Sequence, residues 1–94
     1  LPVEFVLKQN YPNPFNATTR IQFTLPQAGP VRLEVFNMLG QRVSTLINKE
    51  MPAGYYTFEW NGRDGFGNDV ASGMYLYKIM AGDYSGSKKM ILLK

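Results

Sequence analysis

The sequence predicts an all-β fold, an antiparallel sandwich of six or seven short strands in two sheets. Three observations lead there. Apolar and polar residues alternate with period two in several short runs, the pattern of half-buried strands. Clusters of Gly, Pro and Asn punctuate those runs about every ten residues. No stretch carries an apolar stripe at helical spacing with caps at its ends. A small barrel is the alternative, sharing the same strands and differing mainly in edge closure.

The chain opens with "LPVEFVLKQ", residues 1–9, which read as part linker, part first strand. "NYPNPFNATT" follows, from Asn10 to Thr19. Its prolines cannot donate to a ladder and fix φ at about −65°, so the stretch is neither helix interior nor central strand. Asn10, Asn13 and Asn16 favour tight turns by bonding their own backbone. From the residues alone this is an ordered connector whose Tyr11 and Phe15 plug one end of a core. "TRIQFTL" then alternates cleanly, with Ile21, Phe23 and Leu25 on the inner face. "PQAGP" is a turn, and "VRLEVF" repeats the alternation with Val31, Leu33 and Val35 inward and Arg32 and Glu34 outward.

Gly40 in "NMLGQ" suits the positive φ of a hairpin turn. "RVSTLI" is a less regular strand, and Asn48–Gly54 reads as the longest polar connection of this half. "YYTFEW" puts Tyr56, Phe58 and Trp60 on one face. A loop rich in Gly, Asp and Asn precedes "MYLYKIM", whose Tyr75, Tyr77 and Ile79 point inward. "AGDYSG" is a turn and "SKKMILLK" the last strand. There the alternation fails, because Met90–Leu93 is continuously apolar.

Ninety-four residues make one domain, 1–94, large enough for a sheet-on-sheet core. An apolar content of 45%, with 14% aromatic, argues for that core and against disorder. No run approaches the roughly 20 apolar residues of a membrane span, so no membrane insertion is expected. "LPVEFVL" lacks the basic and long apolar regions of a signal peptide, and any export signal of a larger parent would lie upstream. The chain has no cysteine and no histidine, which removes disulfides, thiolate zinc sites, Cys nucleophiles and the commonest general base. A net charge of +3 is mild, and no arginine–aromatic stripe marks a nucleic-acid surface.

"YPNPFNATTRIQFTLP", "VRLEVFNMLGQRV", "LINKEMPAGYYTFEWNGRDGFGNDVASGMYLYKI" and "KKMILLK" occur in that order. At this spacing the chain resembles the C-terminal sorting domains (type A) of type IX secretion. The pattern overlaps the immunoglobulin-like domain of the flagellar hook-capping protein. The resemblance implies an immunoglobulin-like sandwich at the C-terminus of an exported protein. Its implied partners are secretion-machinery proteins of the outer membrane and an upstream cargo domain in the same chain. The implied location is the medium or the cell surface, after transit through the periplasm. Tyr11, Pro12, Asn13, Pro14 and Phe15 resemble the family's opening motif, where a linker becomes the first turn of the sandwich. Departures are few: Ala17 where the family often has proline, Asn37 where it often has aspartate, and Gln41 for a frequent basic residue.

The loop "NGRDGFGND" places Asn61, Asp64, Asn68 and Asp69 close together as a weak calcium candidate. Its spacing is not that of an EF-hand loop, and the terminal bidentate glutamate is missing. Turn formation by its glycines and Asx side chains is the favoured reading, and no cofactor or metal is expected. Trp60 is expected in the core by alternation, leaving Tyr55 and Tyr84 as exposed rings. The carboxylates are scattered, so no glycosidase pair and no catalytic residue is expected. The terminal segment Lys88, Lys89, Met90, Ile91, Leu92, Leu93 and Lys94 is read as an edge strand with lysine gatekeepers. Within the resemblance it is also the candidate for secretion recognition, exposed for pairing by strand addition.

Overall fold

Each alternating run forms a strand in the computed structural model, which describes all 94 residues. β1 is Val6–Leu7, β2 Thr19–Leu25, β3 Gly29–Asn37 and β4 Arg42–Met51. β5 is Gly54–Trp60, β6 Gly73–Ala81 and β7 Tyr84–Leu92. They form a three-stranded sheet in the order β1-β2-β5 and a four-stranded sheet in the order β4-β3-β6-β7, with every pairing antiparallel. This is an immunoglobulin-like sandwich: first, second and fifth strands pair on one sheet, third, sixth and seventh on the other. No helix is long and apolar enough to cross a membrane.

The inner faces are those read from alternation. Ile21, Phe23 and Leu25 of β2 meet Val31, Leu33 and Val35 of β3 and Tyr75, Tyr77 and Ile79 of β6, all buried. Trp60 closes one end of this core at 2% exposure. Gly40 has φ of 82° in the β3–β4 turn, as expected. Asn37 holds that turn by accepting the N–H groups of Leu39 and Gln41 on Oδ1, both at 3.0 Å. Its Nδ2 donates to Gln41 Oε1 at 2.8 Å. Two of the three departures named above, Asn37 and Gln41, therefore bond to one another as an amide pair.

Five expectations need correction. Asn48–Met51 is strand, not connection, and only Pro52 and Ala53 separate β4 from β5. Residues 48–50 are exposed at a sheet edge, so their polarity hid a ladder that pairs Lys49 with Val31 and Met51 with Gly29. Two register shifts against β3 explain why "RVSTLI" lacks a clean period. Glu34 points outward but is buried, because Arg42 and Thr45 of β4 close over it at 3.3 and 3.1 Å. Met90–Leu93 does alternate: Met90 and Leu92 are fully buried, Ile91 is half-buried and Leu93 is exposed.

The remaining two concern aromatic rings. Tyr84 belongs to β7 and is half-buried, stacked on Phe5 at 5.1 Å between centroids. Tyr11 does not plug the core. Its main chain pairs with Arg20, and the ring is 71% exposed.

Candidate docking site

Two features that the sequence presents far apart, Tyr11–Phe15 and Lys88–Lys94, meet along one edge of the sandwich. β7 is the edge strand of its sheet, as read from the sequence. Main-chain groups of Lys89 and Ile91 face away from β6, and residues 5–15 run alongside to meet them. Gln9 Nε2 donates to the Lys89 carbonyl at 2.7 Å, and the Ile91 N–H donates to Asn13 Oδ1 at 3.0 Å. The Phe15 N–H donates to the Ile91 carbonyl at 2.9 Å, and the Leu93 N–H to the Phe15 carbonyl at 2.8 Å. Phe15 and Leu92 thus form a parallel bridge. Residues 5–15, whose main chain pairs with β2 at Val6–Lys8 and Tyr11, act as a strap beside the open edge.

The strap is held from inside as well. Phe15 is 2% exposed, its ring 5.8 Å from that of Trp60. Asn10, also 2% exposed, donates from Nδ2 to Thr19 Oγ1 and the Pro12 carbonyl, and accepts from Gln9. Thr19 Oγ1 donates to the same Pro12 carbonyl at 2.8 Å. Both prolines follow cis peptide bonds. No buried side-chain polar atom is left without a partner. Tyr77, wholly buried, donates its hydroxyl to the Lys8 carbonyl at 2.6 Å. Burial pushes its phenol up to about 12, slightly eased by the Asn10 main chain. The Tyr77 hydroxyl therefore stays protonated, and remains a donor, well above neutral pH.

Ala17 sets the exit of the strap. Its φ is 74°, and the Thr18 N–H donates across it to the Asn16 carbonyl at 3.0 Å. That is a γ-turn with a left-handed centre, a strained conformation for a residue with a Cβ. Proline could not reach this φ. Ala17→Gly should stabilise the domain by about 0.5–1 kcal/mol, the relief of the left-handed penalty outweighing the added chain entropy. Thermal unfolding should register this as a rise of a few degrees, and a fall would show that no strain is stored there.

The opening motif and the terminal segment are thus brought together, but not as a free strand. The hydrogen-bonding edge expected to be available for pairing is already occupied from Lys89 to Leu93. The reason is Asn13 and Phe15, which supply the partners a foreign strand would bring. Of the seven terminal residues, Met90 and Leu92 belong to the core, and Lys88 is half-buried on their face. Lys89, Ile91, Leu93 and Lys94 remain turned outward or exposed. Gln9, Asn10 and Phe5 were missed, since nothing in their local spacing announces a distant partner.

The loop carrying Asn61, Asp64, Asn68 and Asp69 is built around its own hydrogen bonds. Asp64 Oδ1 accepts the N–H groups of Phe66 and Asn68 at 2.9 and 3.0 Å, fixing the turn. Asp69 pairs with Arg63 at 3.5 Å. Asn61 and Asp69 line a shallow polar depression of about 510 Å³ together with Arg63 and Lys94, two cations that oppose a bound cation. No three acidic side chains converge anywhere in the chain.

The family model of the FlgD Ig-like domain matches residues 10–85, taking in the opening motif and stopping before Lys88. Among solved structures, dimeric latent PorU from Porphyromonas gingivalis superimposes on 95% of the chain with a TM-score of 0.70 and 18% identity. PorZ, a bacterial surface component of the type IX secretion system of the same organism, superimposes on 92% with a TM-score of 0.62 and 23% identity. The chain spans 9% of the PorU chain and 11% of the PorZ chain. At these identities the likeness is one of fold. No curated protein matches the sequence significantly.

Proposed function

Because this chain belongs to the FlgD Ig-like domain family, we propose that it is a non-catalytic module within the sorting branch the sequence resembles. In this reading it directs an exported parent protein through type IX secretion to the cell surface or the medium. The observation that carries the reading is a likeness of fold, over 92% of the chain, to a domain of PorZ, a type IX surface component. The ordered motifs from Tyr11 to Lys94 support it. A chain without His or Cys, in which Glu34 and Asp69 serve ion pairs and Asp64 a turn, supports a role in recognition rather than chemistry. Secretion components of the outer membrane are the partners in this reading, and the cargo lies upstream in the same polypeptide.

A second reading is a structural or binding module, of the kind that serves a hook-cap assembly or surface attachment. The family match itself favours it, since it ends at residue 85, short of the terminal lysines. One experiment separates the two. A reporter behind a signal peptide, with this domain fused after it, is expressed in a bacterium that has a type IX system. The reporter should reach the surface or medium, and the same reporter without the domain should stay in the periplasm. A folded, uncleaved fusion retained in the periplasm would mean that sorting is the wrong function.

A further inference from the structure

With the β7 edge occupied by the strap from Lys89 to Leu93, what those terminal residues still present is a row of outward side chains. These stand in register with the outer face of the rest of the sheet. Lys89 lies opposite Leu76, which lies opposite Phe36, which lies opposite Arg42; one row on, Ile91 lies opposite Met74. Phe36, Met38 and Leu76, with Lys78, line one depression of about 300 Å³. Met74 and Met38 are 41% and 54% exposed. The result is an apolar strip across the sheet, flanked by Arg42, Lys78 and Lys89. The one carboxylate at this end of the face, Glu34, is buried under Arg42 and Thr45, and Glu50 lies at the far end, opposite Pro30. Lys78 and Lys89 have no ionic partner.

We infer that this end of the outer face of the four-stranded sheet is the docking surface for a protein partner with an apolar centre flanked by acidic side chains. The inference rests on the sorting reading, in which that partner is the secretion component that receives the domain. Charge complementarity selects the acidic rim, since Lys78 and Lys89 border the strip unpaired while Arg42 and Glu34 neutralise each other. It also argues against a second copy of this chain, because a two-fold contact would set like charges against each other. A lipid surface fits less well. The strip carries no Trp or Tyr to anchor at a membrane interface, and its Phe36, Leu76 and Ile91 are half-buried in a flat face. Flexible, polarisable Met38 and Met74 suit a protein contact.

The test uses the reporter fusion with two double variants, Met74→Thr with Leu76→Thr, and Lys78→Gln with Lys89→Glu. Threonine keeps strand propensity while removing the apolar strip. With the unaltered fusion exported, both variants should lower the exported fraction about ten-fold or more, the folded reporter collecting in the periplasm. Cooperative thermal unfolding of each purified variant domain confirms that it folds. If both folded variants are exported as well as the parent, the inference falls while the sorting reading stands. If the unaltered fusion is not exported, the sorting reading falls first.

Two measurements on the isolated domain address other occupants. A concentration-dependent dimer in sedimentation, abolished by the threonine pair, would assign the face to a second copy and overturn the inference. Binding to phosphatidylglycerol vesicles, abolished by the same pair, would assign it to lipid and overturn it too. A monomer that ignores the vesicles supports a protein partner.

Discussion

Trp60→Ala should cost the domain about 3–5 kcal/mol, the range for truncating a large buried aromatic. The indole is 2% exposed and sits between Phe15 and Tyr75, each with ring centroid 5.8 Å away. Its Nε1–H donates to the Arg63 carbonyl at 3.0 Å, so the ring also ties the long β5–β6 loop to the core. Truncation leaves a cavity between two aromatic rings and an unpaired carbonyl in the loop. A domain of this length is stable by roughly 5–14 kcal/mol in all, so the loss is a large part of the whole. Denaturant unfolding should show a lower midpoint with an unchanged slope. In the parent, emission should be blue-shifted and poorly quenched by iodide. A freely quenched tryptophan would contradict the packing described.

Deletion of Lys89–Lys94 should unfold the domain outright. It removes Met90 and Leu92, both fully buried, and truncating such residues even to alanine costs about 2–5 kcal/mol each. It also strips the partners of Gln9, Asn13 and Phe15, so the strap loses its seat. The sum is comparable to the whole stability of a domain this size. The deleted form should show no cooperative thermal transition, while deletion of Leu93 and Lys94 alone should retain one. A failure of the larger deletion to export a reporter would therefore report unfolding, not lost recognition. Survival of a near-native transition after that deletion would show that the strap and the last strand are dispensable to the fold.

The sandwich was legible wherever a strand buries one face and wets the other. β2, β5 and β6 do so, and their alternation fixed both strand and orientation, Trp60 included. β4 was half legible, because an edge strand with two register shifts and three exposed residues in a row has no period to read. Glu34 shows a second limit. Alternation assigns a face, but whether that face is wet depends on what a neighbouring strand lays across it. The candidate site shows a third. Both halves were singled out by composition, yet the bond from Ile91 to Asn13 spans 78 residues of sequence. Proline and asparagine spacing says that a segment is ordered, not which distant edge it covers. Tyr11 followed from the same ignorance: its ring turns to solvent because the main chain is committed to Arg20.

The strap has a mechanical meaning too. It runs parallel to β7, Phe5 beside Tyr84 at one end and Phe15 beside Leu92 at the other. Tension applied to the two ends of the chain therefore pulls the strap and the last strand past one another lengthwise. The Gln9, Asn13 and Phe15 bonds are then loaded together in shear, not opened one after another as in a peeled hairpin. A rupture that must break several bonds at once is slow, and resistance to force is governed by that rate rather than by equilibrium stability. A domain pulled between its two ends would be held shut by residues 5–15.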